Sequence, residues 1–268
     1  MNDDRPRNEH HHDGGLASDL QRMVALSNRR QALRMFAGAS LIPALGCGGD
    51  DGSGVDSGTS NCPNIPEETG GPYPGDGTNG PNVLTQSGIV RSDIRTSFGS
   101  LSGTAAGVPL TVELTLVNSG SSCAPLAGYA VYLWHCDRSG FYSLYTIAGQ
   151  NYLRGVQETD ASGKVTFTSI FPACYPGRWP HIHFEIYPTL AKASASSNKV
   201  RTSQLALPAD VCNTVFATTG YEQSLRNLAM ISLTSDMVFS DGSTLQVATA
   251  TGSVAEGYRS SLVVGVAG

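Results

Sequence analysis

From Leu110 the chain alternates: Leu110, Val112, Leu114 and Leu116 are apolar, and Thr111, Glu113 and Thr115 between them are polar. Side chains of an extended strand point to opposite faces with a period of two, so this spacing predicts a half-buried strand. Gly128 to His135, rich in Tyr, Val and Trp, predicts a second, followed by a turn at Asp137-Arg138-Ser139-Gly140. Asp160-Ala161-Ser162-Gly163 reads as a hairpin turn, with Val165 and Phe167 opening the next strand. After Pro180 the alternation resumes. Ile182, Phe184 and Ile186 read as a core face, while His181, His183 and Glu185 share the opposite face. Further strands are expected within 199–207, 245–250 and 261–264, and a short helix between Ala209 and Leu228. Short strands separated by turn signals, without long alternating helices, predict an all-β fold: an antiparallel β-sandwich with long loops and a short helix.

The N-terminal region does not fit that pattern. Asn28-Arg29-Arg30-Gln31-Ala32-Leu33-Arg34 precedes a modest apolar run from Met35 to Leu45. A cationic flank and a short apolar run predict a signal peptide over residues 1–46, and the paired arginines resemble a twin-arginine export signal. Ala44-Leu45-Gly46-Cys47 resembles a bacterial lipobox, which would place a lipid on Cys47 as the membrane attachment. Residues 47–61 are mostly Gly, Ser and Asp, a composition suited to a flexible tether. Residues 62–268 then form the folded domain. His10-His11-His12 lies in the leader and is assigned no role.

Composition narrows the partners. The 268-residue chain carries a formal net charge of -5, and removing residues 1–46 leaves 11 basic against 17 acidic groups. No basic patch survives, which argues against nucleic acid. Five cysteines follow the leader and its Cys47: Cys62, Cys123, Cys136, Cys174 and Cys212. Export permits disulfides. Their connectivity does not follow from spacing; the pairing expected is Cys136–Cys174 and Cys123–Cys212, with Cys62 left near the tether.

Two imidazoles on one strand face, His181 and His183, read either as part of a metal site or as a polar, solvated face. Tyr175 lies in the Pro/Gly turn before the strand, and Tyr142 follows the Asp137–Gly140 turn, with Tyr145 as a rival. Two imidazoles with two phenolates form a nitrogen and hard-oxygen donor set, which favours a hard, highly charged ion such as ferric iron over zinc. A phenolate must lose a proton of reference pKa roughly 10, which takes a strong Lewis acid nearby. Trp179 reads equally as pocket lining or as a shield for the strand, and Glu185 as a support for the histidines or a solvated carboxylate.

Trp134-His135-Cys136-Asp137-Arg138-Ser139-Gly140-Phe141-Tyr142-Ser143, Leu153-Arg154-Gly155 and Tyr175-Pro176-Gly177-Arg178-Trp179-Pro180-His181-Ile182-His183-Phe184 resemble the intradiol ring-cleavage dioxygenases. Glu67-Glu68-Thr69-Gly70-Gly71-Pro72-Tyr73-Pro74 is similar to that family's N-terminal arm. The resemblance spans roughly residues 62 to 225. It implies one non-haem Fe(III) per chain, held by Tyr142, Tyr175, His181 and His183. It places the family's arginine at Arg178 and its glutamine at Gln204. It further implies that a catechol-type substrate and O2 are the reactants, with Tyr175 released as a base and Arg178 facing developing negative charge. No helical N-terminal domain like that of the catechol-specific members is expected, and whether the chain assembles as a homo-oligomer stays open.

Overall fold

The alternation at Leu110–Leu116 becomes the ten-residue strand β1, Pro109–Asn118, in a computed structural model that describes residues 62–267. The expected leader, lipobox and tether, with Cys47, lie outside the described residues. Leu110, Val112, Leu114 and Leu116 are buried, and the threonines between them are partly exposed. The other strands are β2 (Ala124–Pro125), β3 (Ala130–Trp134), β4 (Arg154–Glu158), β5 (Lys164–Ile170), β6 (His181–Tyr187), β7 (Arg201–Ala206), β8 (Thr249–Ser253) and β9 (Gly257–Val266). Two helices, α1 (Ala209–Phe216) and α2 (Glu222–Leu228), occupy the stretch where a single short helix was expected. The chain breaks between them at Gly220, whose φ of +93° suits glycine.

One sheet runs β2-β1-β9-β8 with β5 also on β1; the other runs β4-β3-β6-β7. The apolar faces of both meet in one core, where Val112, Leu114, Phe167 and Val264 join Val131, Leu133, Ile182, Phe184 and Leu205. The sandwich is therefore confirmed, with two differences. β1 and β9 pair parallel, from Leu110 opposite Tyr258 to Asn118 opposite Val266, so the first sheet is mixed. The turn at Asp160–Gly163 is tight, with the Asp160 carboxylate accepting from the amides of Ser162 and Lys164. It is no hairpin, however: β4 pairs with β3 and β5 with β1, so the turn carries the chain from one sheet to the other.

The cysteine pairing is corrected. Cys62 bonds to Cys123, with Cα atoms 5.6 Å apart, and pins the start of the N-terminal arm to the β1–β2 turn. Cys136, Cys174 and Cys212 are free and buried. The Cys136 thiol faces the carbonyl of Ala173 at 3.8 Å and the Cys174 thiol that of Arg178 at 3.4 Å. Two thiols engaged with separate backbone carbonyls in a packed core do not pair.

Strand β6 is buried on both faces. As an interior strand it turns Ile182, Phe184 and Ile186 into the core. The N-terminal arm covers the histidine face: Glu68 N–H donates to Thr202 O at 2.8 Å, and the Gln204 amide donates to Thr69 O at 2.9 Å. The solvated-face reading of His181 and His183 fails for that reason.

Candidate metal centre

Four side chains converge on the covered face of the β4-β3-β6-β7 sheet. His181 and His183, two residues apart on β6, bring their Nε2 atoms to 3.1 Å. Tyr175 Oη lies 3.1 Å from His181 Nε2, Tyr142 Oη lies 3.3 Å from His183 Nε2, and the two phenol oxygens are 3.3 Å apart. All four residues are buried. Their donor atoms thus form a closed ring with edges near 3 Å.

Local structure explains how each arrives. Asp137 accepts the amides of Ser139 and Phe141 through one carboxylate oxygen and the Tyr152 hydroxyl through the other, shaping the turn that delivers Tyr142. Gly140, at φ +88°, lets that turn pass the second tyrosine, since a Cβ there would stand 3.3 Å from Tyr175 Cβ. Helix α2 fixes the approach to Tyr175: Ser224 Oγ accepts from the Cys174 amide at 3.0 Å, and Asn227 donates to the Cys174 carbonyl at 2.7 Å. Tyr145, the rival, is used elsewhere, donating to Asn79 O at 2.6 Å and accepting from the Gly75 amide at 2.9 Å.

The donor set fits a hard cation. His181 Nδ1 lies 2.5 Å from Trp179 O, a carbonyl that can only accept, so the proton sits on Nδ1 and Nε2 presents its lone pair to the cluster. Burial, with the Arg178 charge adding to it, holds His181 well below the usual imidazole range; burial, His181 and Arg178 do the same to His183. Both rings are neutral, as ligands must be. Burial pushes the Tyr175 phenol up to about 12 and holds that of Tyr142 well above its usual range. Two phenol oxygens, the His181 lone pair and the inward-facing His183 Nε2 make a concentration of polar atoms that a cation would satisfy. Donors about 2 Å from a common ion, as metal-bound imidazoles are, lie about 3 Å apart when adjacent, the spacing found here. Among the described residues no three His, Cys, Asp or Glu side chains gather into a metal-ligating group. A metal held at this face would therefore need the phenols as donors.

A family profile described as Dioxygenase matches residues 79–182. Among solved structures, the chain is similar to an intradiol ring-cleavage dioxygenase from Tetranychus urticae. The two share 26% identity over 76% of this chain and 94% of that one, with a TM-score of 0.59. A second dioxygenase structure gives 25% identity over 77% and 95%, at a TM-score of 0.60. The catechol 1,2-dioxygenase of Pseudomonas arvilla C-1 shares the fold, at 19% identity over 95% of this chain and 71% of that one, TM-score 0.50. No curated protein matches the sequence. The fold is that of the intradiol ring-cleavage dioxygenases.

The remaining candidate residues lie around the four donors. Arg178 is fully buried. Its Nη1 lies 3.4 Å from His181 Nε2, and Nη2 donates to Gln204 Oε1 at 2.6 Å. Gln204 stands directly across the sheet from His183. The two residues expected beside the metal are thus joined to each other. Trp179 turns away, its indole donating to Leu207 O at 2.9 Å within the core, so it shields the strand and does not line the site. Glu185 shares the histidine face but engages the Tyr187 hydroxyl at 2.7 Å and Lys199 at 2.6 Å rather than a histidine. Burial pushes its carboxyl up to about 7 against the opposing pull of Lys199.

Three further residues went unread in the sequence. Trp134 stacks flat on His183. Tyr73 from the arm packs its ring 5.1 Å from that of Tyr142. Asp236 forms a buried ion pair with Arg178 at 2.9 Å. Trp134 and Tyr73 sit inside motifs already singled out, and their alternation onto the histidine face, or their place in the arm, was the available signal. Asp236 has none: it lies outside both the motifs and the matched segment.

Proposed function

We propose that this protein is a non-haem Fe(III) dioxygenase of the intradiol family that opens the ring of a catechol-type aromatic between its two hydroxylated carbons, using O2 and giving a muconate-type diacid. The observation that carries the reading is the closed ring of two phenol oxygens and two imidazole nitrogens with Arg178 beside it. Tyr142, Tyr175, His181 and His183 would hold the ion. Ferric iron, when bound, supplies Lewis acidity toward both catechol oxygens and draws electron density from the ring that O2 attacks.

The protein's own residues do the rest. Tyr175 rides on a turn closed by the Arg178 amide donating to the Tyr175 carbonyl at 3.2 Å, with Gly177 at φ +80°. Tyr142 instead sits beneath the arm ring of Tyr73, so Tyr175 is the phenolate better placed to leave and accept a substrate proton. Arg178 presents Nη1 toward the cluster, a fixed positive charge where negative charge develops on the ring. The arm over the histidine face excludes water from the reacting atoms.

Anaerobic addition of catechol to the iron-loaded protein should shift a visible tyrosinate-to-iron band, and admitting O2 should consume it stoichiometrically with ring loss. A colourless iron-loaded protein would contradict the ligand set. A spectral shift without oxygen uptake would mark a binding module that keeps the fold and the metal.

The export reading is part of the proposal. The Cys62–Cys123 bond supports it, because disulfides persist in oxidising compartments. Labelled fatty acid should enter the wild-type protein and not C47A; equal labelling of both would remove the lipid anchor.

A further inference from the structure

The carboxylate of Asp236 is held by backbone on two sides. Oδ1 accepts the amides of Val238 at 2.7 Å and Phe239 at 3.1 Å, closing its own turn. Oδ2 accepts the Trp179 amide at 2.6 Å and Arg178 Nε at 2.9 Å. Neither partner of the ion pair reaches solvent, with side-chain exposures of 1% for Arg178 and 0% for Asp236. Three of the four contacts do not involve the guanidinium, so the acid's position is set by the fold independently of Arg178.

The guanidinium, by contrast, depends on its partners. Nε is fixed by Asp236 and Nη2 by Gln204, and Gln204 is anchored in turn to the arm at Thr69 O. These two contacts occupy one edge of the planar fork. Nη1 is the nitrogen left, and it faces the donor ring 3.4 Å from His181 Nε2. A planar group held at two of three nitrogens cannot turn about its own axis, so the direction of Nη1 is determined by Asp236 and Gln204 together. Gln204 alone would leave the fork free to pivot about one contact.

We propose that Asp236 is a positioning residue for this site: it fixes the Arg178 fork so that Nη1 is aimed at the reacting centre. Asp236 lies 58 residues beyond Arg178 and on the far side of both helices. The segment between α2 and β8 is thereby part of the functional site although no element of it reaches the donor ring. This rests on the proposed role of Arg178.

Two measurements test it. In the full chain without metal, nitrogen-labelled on arginine, the wild type should show two resolved Nη signals for Arg178, assigned by their loss in R178Q, because rotation of the fork is frozen. D236N, which keeps an oxygen to cap the 236–239 turn, should merge them. Averaged signals in the wild type, or resolved ones in D236N, overturn the proposal, and the wild-type spectrum decides alone if D236N does not fold.

In the iron-loaded protein, D236N should lower kcat for catechol oxygenation by about 100-fold, in the range for loss of one oriented charge. KM should stay within about threefold and the visible band should not move. The double variant D236N/R178Q should be no slower than R178Q beyond about threefold, since a residue acting through another is not additive with it. Multiplying losses, or wild-type kcat in D236N, overturn the inference. If the wild type consumes no oxygen, the proposed function fails, and the arginine signals still decide the role of Asp236.

Discussion

Trp134 lies flat on His183, with ring centroids 4.9 Å apart and planes within 5°. The two are cross-strand neighbours on β3 and β6. The contact matters because the two histidines are oriented differently. His181 is fixed by the hydrogen bond from Nδ1 to Trp179 O, whereas buried His183 Nδ1 has no hydrogen-bond partner among the described residues. Stacking against Trp134, itself stacked on Tyr132 at 4.9 Å, takes the place of that bond. A stacked aromatic pair contributes about 0.5–1.5 kcal/mol beyond burial. W134L should therefore weaken iron binding by about three- to tenfold, and W134F should restore most of it. Competitive iron titration against a chelator checks this; an unchanged affinity in W134L would mean that backbone position alone orients His183.

Arg154 is the next test. All five of its guanidinium N–H groups are donated, to Ser143 Oγ, Ser143 O, Pro74 O, Tyr73 O and the Tyr132 hydroxyl. It is fully buried, and among the described residues no carboxylate pairs with it. A buried charge satisfied only by neutral oxygens ties the arm to the loop that follows Tyr142. R154M removes the donors to the Tyr73 and Ser143 carbonyls, while Pro74 O keeps the Tyr132 hydroxyl, at roughly 1–3 kcal/mol for each group left unsatisfied. We expect a loss of at least about 3 kcal/mol and a Tm lower by roughly 10 °C. Thermal unfolding read by tryptophan fluorescence measures it; a Tm within about 2 °C of wild type would show that the arm docks without this hub.

The phenols give a sharper discrimination. Y142F should abolish the visible band of the iron-loaded protein or displace it strongly. Y145F removes hydrogen bonds to Asn79 and Gly75 only and should leave the band in place. The reverse pattern would move the ligand assignment to Tyr145.

Cysteine chemistry is checked by peptide mapping without reduction. Cys62 and Cys123 should appear linked, closing a loop with a sequence separation of 61. In the chain-entropy account that link is worth about 4 kcal/mol. Cys136, Cys174 and Cys212 should resist alkylation until the protein unfolds, because burial excludes the reagent and pushes the Cys174 thiol up to about 12. A Cys136–Cys174 peptide would overturn the connectivity.

Much of this was legible in the sequence because strand periodicity is a local signal. Leu110–Leu116 and Ile182–Ile186 each declare a core face, and the His-x-His spacing follows from the same rule. What escaped was non-local. The parallel pairing of β1 with β9 joins the first and last strands of the fold and leaves no mark on either. Alternation says which residues oppose the core face, not what covers them, so the burial of His183 under the arm could not be read. The region expected as a strand at 245–250 starts later, at Thr249, because Gln246 and Val247 close a turn onto Ser243. Cysteine pairing depends on distances that spacing does not encode, and Cys62 proved to be a partner rather than a leftover. Asp236 sits in an ordinary Ser-Asp-Met-Val stretch; only the fold reveals that its carboxylate meets Arg178.

Tyr142, Tyr175, His181 and His183 should together hold ferric iron and open it to a catechol. Anaerobic titration of the iron-loaded protein with catechol, followed in the visible range, tests that most directly. A coloured protein whose tyrosinate band shifts to a saturating end point at one catechol per iron, and whose colour returns once O2 is admitted and consumed, is the predicted result. A protein that binds iron without colour, or whose band ignores catechol, would contradict it.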